Sequence, residues 1–174
     1  MRRIISAAAI LTAIGVSAVA SAQSTSMIDA SPNNITIRAG VALPIDKSLS
    51  NVSNTFTDVG LEYNFNNSLI KGGDTYLSVD AFFFNFNGVV AYPVAINQRF
   101  YTGTNPAGRR SYYFVGLGMT WTSVTDQTFN AISARGGMGI ELGPNIIAEL
   151  TGYIANEAGG TRANAITINL GYRF

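Results

Sequence analysis

Residues 165–174 read Ala165-Ile166-Thr167-Ile168-Asn169-Leu170-Gly171-Tyr172-Arg173-Phe174. Side chains of an extended strand alternate between its two faces, so Ile166, Ile168, Leu170, Tyr172 and Phe174 share one face. Thr167, Asn169, Gly171 and Arg173 share the other. The same two-residue period recurs upstream in seven segments separated by turn-like residues: Ile35–Leu43, Asp58–Phe65, Thr75–Phe84, Val89–Tyr101, Tyr112–Trp121, Ala131–Leu142 and Ile146–Ile154. Each approaches the roughly 9–11 residues with which a tilted strand crosses a bilayer. Counting the terminal stretch, the number of strands is even, as single-chain bacterial barrels require. The fourth segment is the least regular and carries Pro93; its alternation places Val94, Ile96, Gln98 and Phe100 outward and Ala95, Asn97, Arg99 and Tyr101 inward.

Nine charged residues fall within these segments: Arg38, Asp58, Glu62, Asp80, Arg99, Arg135, Glu141, Glu149 and Arg173, all on the polar faces. A Lys or Arg turned toward lipid at mid-membrane costs about 2–4 kcal/mol, against a total stability of about 5–15 kcal/mol, so such sorting has a physical cause. The polar faces also hold Gly40, Gly60, Gly116, Gly118, Gly137, Gly139 and Gly171. Small residues beside paired charges suit the crowded interior of a narrow barrel. We therefore expect an all-β fold, an eight-stranded antiparallel up-and-down transmembrane β-barrel. Its interior charge network would comprise Arg38, Glu62, Asp80, Arg99, Arg135, Glu141, Glu149 and Arg173. Glu141 and Glu149, brought near each other by the turn at Gly143-Pro144-Asn145, would neutralise Arg135, Arg38 or Arg173. Inward Tyr76, Phe82, Tyr112 and Phe114 would line an apolar pocket or plug the lumen. The competing arrangement is a soluble, lipocalin-like periplasmic ligand carrier, with the apolar face inside and the charges in water.

The opposite end of the sequence supplies a compartment. Arg2 and Arg3 precede an apolar run from Ile4 to about Ala20, and Ala20-Ser21-Ala22 is a small-x-small cleavage pattern, so residues 1–22 read as a signal peptide and 23–174 as the barrel domain. Without the leader, 9 basic residues face 10 acidic ones, a net charge of −1. That balance offers no basic patch for nucleic acid. Charged residues make up 12% of the chain, about half the usual share. The chain contains no Cys and no His, which removes thiolate and imidazole metal sites, Ser-His-Asp and Cys-His nucleophiles, and histidine acid–base chemistry. No cofactor, metal or enzymatic activity is expected.

A strand closing on a terminal aromatic with another two residues earlier, here Tyr172 and Phe174, resembles the last strand of bacterial outer-membrane barrels. In that family it is the signal read by the barrel assembly machinery. Many members carry Gly five residues before the end, where this chain has Asn169. The eight segments together resemble the small OmpA/OmpX/OmpW-like barrel group across nearly all of residues 30–174. The resemblance implies residence in the bacterial outer membrane and a non-enzymatic structural or surface-interaction role. Lipid, lipopolysaccharide and an unspecified surface partner would be its contacts. It also implies, through the OmpW-like members, an alternative as a narrow channel for small apolar solutes. Chain ends and short turns would face the periplasm, with longer links outside. Tyr63, Phe65, Phe100, Tyr113, Tyr172 and Phe174 would then form one interfacial girdle, with Phe83 and Trp121 at the other interface.

Overall fold

The computed structural model of the protein describes residues 34–65, 68–84, 89–104, 108–124 and 127–174. The signal peptide expected over 1–22 lies outside the described residues. Eight strands follow one another: β1 (Ile35–Pro44), β2 (Phe56–Asn64), β3 (Gly73–Phe83), β4 (Val89–Thr104), β5 (Arg110–Val124), β6 (Gln127–Glu141), β7 (Ile146–Ala155) and β8 (Ala165–Arg173). Each pairs antiparallel with the next, and β1 pairs with β8 from Thr36↔Arg173 to Pro44↔Ala165, closing the barrel. Closure leaves no sheet edge among these eight, and every backbone ladder finds a partner strand. The Phe174 amide donates to the Ile35 carbonyl at 2.8 Å, so the seam is stitched to the last residue.

The alternation read from sequence is the alternation observed. Outward Leu117, Ile132 and Ile154 are 72%, 68% and 68% exposed, while inward Arg38 and Asp80 are fully buried. A soluble carrier needs the reverse arrangement, and a belt of exposed apolar residues on all eight strands far exceeds the patches that soluble monomers tolerate. Of the expected girdle, Tyr63–Phe65, Phe100–Tyr113 and Tyr172–Phe174 pair at centroid distances of 5.6, 5.2 and 4.8 Å. They ring the end that carries Ile35 and Phe174, called here the terminal end. The opposite end, with the β1–β2, β3–β4, β5–β6 and β7–β8 links, is the loop end.

Three features depart from expectation. Strands β4, β5 and β6 run to 16, 15 and 15 residues, longer than the apolar alternation predicts. Four residues of 102–110 and seven of 122–130, between the expected segments, are consequently strand. Second, the β3–β4 register shifts between Phe82 and Phe83, from Phe82↔Ala91 to Phe83↔Val89. Third, the β1–β2 link, long and rich in Asn and Ser, contains a helical turn, α1 (Lys47–Ser50).

Candidate functional site

The barrel interior is filled in three levels, and the middle one is ionic. Arg38 on β1 stands opposite Gly60 on β2 and Gly171 on β8. Glycine on both sides gives its guanidinium room: a Cβ at Gly60 would collide with Asp80 Oδ1 and lie 3.0 Å from Arg38 Nη2. Arg38 Nη2 donates to Asp80 Oδ1 at 2.6 Å, Nη1 donates to Glu149 Oε1, and Nε lies 3.2 Å from Glu62 Oε1. Arg135 on β6 reaches the same acids, Asp80 at 3.2 Å and Glu149 at 3.0 Å. Arg99 donates to Glu62 Oε2 at 2.7 Å. Three buried cations thus face the carboxylates of Glu62, Asp80 and Glu149, and such pairing is the condition for keeping charge away from water; a fourth buried carboxyl, Asp58, is held by Asn169. Tyr153 and Tyr112 hydroxyls add donors to Asp80 and Glu149 at 2.9 and 3.2 Å.

Toward the terminal end the filling is aromatic. Tyr76, Tyr112 and Phe114 are buried and form one cluster, with Tyr101 packed against it. The Arg99 guanidinium carbon lies 4.3 Å from the Tyr76 ring centroid and 4.7 Å from that of Tyr112. Arg135 sits 4.8 Å from the Phe114 ring. These are cation–π contacts, strengthened by exclusion of water. Gly139, opposite Tyr112 on β6, makes space for that ring, since a Cβ there would run into it.

At the loop end the filling is aliphatic and aromatic, with Arg135 touching its inner edge: the guanidinium carbon lies 5.2 Å from the Tyr153 ring centroid. Leu49, Phe56, Phe82, Tyr153, Ala42 and Ala91 belong to one buried cluster. Leu49 comes from α1 and is 1% exposed. Asp46 caps that turn by accepting from the Ser48 amide at 3.1 Å. Loop meets loop: the Ile45 amide donates to the Asn164 carbonyl at 2.9 Å, and the Arg162 amide donates to Ser48 Oγ at 3.1 Å.

Two expectations need correction. Phe82 does not join Tyr76, Tyr112 and Phe114 in one pocket; it packs edge-on against Tyr153 at 5.4 Å in the loop-end cluster. Nor do the eight expected charges make one network. Glu141 pairs with Arg173 at 3.1 Å and with Arg110 at 2.7 Å, forming a separate, partly exposed cluster at the terminal rim. The expected neutralisation itself holds, with Glu141 on Arg173 and Glu149 on Arg38 and Arg135. Arg38, Glu62, Asp80, Arg99, Arg135 and Glu149 do meet in the lumen.

Sequence reasoning passed over Arg110, which falls between two of the expected segments, and Tyr153, which falls within the seventh. The role of Asn169 was also missed: its Nδ2 donates to Asp58 Oδ2 at 2.8 Å. The small residue expected at position 169 stands across the seam instead, as Gly40, where a Cβ would strike the Asn169 side chain. Among the described residues, no group of three or more potential ligands is placed to hold a metal.

The closed eight-stranded wall can be compared directly with solved structures. The fold is that of a small outer-membrane β-barrel. The outer membrane protein Ail of Yersinia pestis, solved in phospholipid bilayer nanodiscs, superposes with a TM-score of 0.50 at 14% identity. The alignment covers 81% of this chain and 99% of that one. A crystal structure of Ail, the attachment invasion locus protein of Yersinia pestis, gives the same TM-score, identity and coverage. At such identity the likeness speaks for fold alone. No family model matches this sequence, and no curated protein matches it.

Proposed function

We propose that this protein is an integral protein of the bacterial outer membrane, exported with a cleaved signal peptide, whose role is structural or surface-directed and not enzymatic. One observation carries the reading. From terminal end to loop end, the inward side chains pack into an aromatic level, an ion-paired level and an apolar cap whose principal members are at most 3% exposed. A conducting pore needs a wetted lumen. Here Arg38, Arg99 and Arg135 occupy that space and are bound to carboxylates and rings. Planar-bilayer recordings with purified protein are expected to show a silent membrane. Stable unitary steps overturn the sealed reading in favour of a narrow channel for small apolar solutes.

The surface at work would be the loop end, where the links after β1 and β7 are tied together and so present a defined shape to lipopolysaccharide or to a partner outside the cell. At the other end, Tyr172 and Phe174 are exposed outward, 38% and 58%, where the barrel assembly machinery would read them. Deleting Phe174 also removes its bond to Ile35 and is expected to leave protease-sensitive chain in the periplasm. Normal heat-modifiable migration of that variant contradicts the assembly role.

A further inference from the structure

Gln98 projects from the outer wall of β4, where a polar amide facing hydrocarbon would lose its hydrogen bonds to water at a cost of several kcal/mol. Yet Gln98 is only 6% exposed, and its strand partner Thr75 only 4%. The cover comes from the β2–β3 turn. Thr75 Oγ1 donates to Gln98 Oε1 at 2.8 Å and accepts from the Leu69 amide at 2.8 Å. Gln98 Nε2 lies 3.3 Å from both Ser68 Oγ and the Ile70 carbonyl. Gly72, at φ +95°, takes the left-handed conformation that returns the chain to β3. Every polar atom of the Gln98 amide is thereby engaged, and what the turn offers outward is Leu69 and Ile70, 77% and 54% exposed, followed by Lys71.

We propose that residues 68–72 form a flap that lies on the barrel wall and inserts Leu69 and Ile70 into the acyl region of the adjoining leaflet, with Lys71 at the phospholipid phosphates. The occupant is lipid because the flap continues the apolar belt: it is bonded to Thr75, whose carbonyl accepts from the amide of the girdle residue Phe65 at 3.0 Å, and no soluble surface gains from two such adjacent side chains. A lysine flanking an apolar pair at the membrane interface finds its complement in anionic headgroups. The inference rests on the membrane reading above.

The single native tryptophan makes a clean test. In a Trp121→Phe background, Leu69→Trp is compared with Leu117→Trp, which reports the middle of the belt. Both are folded into vesicles of phosphatidylcholine brominated on its acyl chains, and quenching is read against soluble acrylamide. Both indoles are expected to be quenched by bromine and shielded from acrylamide, and adding Gln98→Ala should raise acrylamide quenching at position 69 several-fold while leaving position 117 unchanged. Bromine quenching at position 117 with free acrylamide access at position 69 overturns the flap but keeps the barrel. Acrylamide access at both positions takes down both readings. Acrylamide quenching at position 69 that does not respond to Gln98→Ala overturns the tether. If Leu69→Trp hinders assembly, Ile70→Trp carries the same readout.

Discussion

At the terminal end of the lumen, Tyr76, Tyr112 and Phe114 are held by guanidinium groups, whereas at the loop end Leu49, Phe56 and Phe82 are held by one another, by Tyr153 and by small residues. Every member of the first set comes from a strand, and each lies two residues along the ladder from its cation: Arg99 stands opposite Phe114, two from Tyr112; Asn97, two from Arg99, stands opposite Tyr76; and Gly137, two from Arg135, stands opposite Phe114. The second set borrows Leu49 from a loop. A wall-built closure can come undone only with the barrel. A closure completed by a loop has a part that can leave while the strands stay paired, which is the kind of local opening that lowers protection without global unfolding.

The ionic level between the two ends is the common support, so its loss should have the largest effect. Arg38→Met removes one of the two cations of Asp80, Glu149 and Glu62 together and leaves buried carboxylate charge in excess. Breaking even one buried pair costs about 3–5 kcal/mol, a large share of a stability of about 5–15 kcal/mol. We expect little or no heat-modifiable band after folding into vesicles. A wild-type urea midpoint would show that the acids do not depend on Arg38, and the contrast between the ends would lose its common base.

Next come the ends themselves. Arg99→Met takes away two cation–π contacts and one of the two cations beside Glu62, a loss of about 2–4 kcal/mol spread over the whole barrel. Leu49→Ala should cost about 2 kcal/mol, the low end for a buried leucine, because the vacated site can be refilled by movement of its loop. Urea titration gives the magnitudes and amide hydrogen exchange separates the mechanisms. The first variant should raise exchange along the strands. The second should raise it at Ile45, Ser50 and Arg162 alone. Uniform exchange in both variants would erase the distinction between wall-built and loop-completed closure.

How much of this was legible beforehand follows from the same contrast. The strands, the faces and the burial of the charges rest on a two-residue period that bilayer and core both impose, and the alternation of β8 alone displays it. The sequence does not state which charges are level with one another: Arg38 and Asp80 stand 42 residues apart, and whether they meet depends on register across three strands. Arg110 and the tails of β4, β5 and β6 escaped notice because Thr102, Gly103, Ser111, Thr128 and Asn130 have no apolar face. Where a strand leaves hydrocarbon, backbone pairing persists without one. Leu49 is a single leucine among Ser, Asn and Thr, and one residue has no period. Gln98 did leave a trace, as the large polar residue on an outward face, and the misfit marked the place where a turn folds back.

The smallest effect tests how the loop-end cap is hung. Asp46 lies in the link between β1 and β2, and its carboxyl is held below the ordinary aspartate value by the Ser48 backbone amide and then by the Ser48 hydroxyl. A carboxyl depressed in the folded state contributes its stabilisation fully above its unfolded value, here 3.8, and loses it as pH falls through the lower folded value. Protonation should therefore loosen α1 and, through Leu49, the cap, while the strands keep their protection. Amide exchange corrected for intrinsic rates is expected to show faster opening at Ser50 and Asn51 in Asp46→Ala than in the parent above about pH 5, with the difference shrinking below about pH 3 as the parent loses the same interaction. A difference that persists undiminished in acid would mean that the cap hangs on the Ile45–Asn164 and Ser48–Arg162 bonds between loops, and that the helical turn merely follows them.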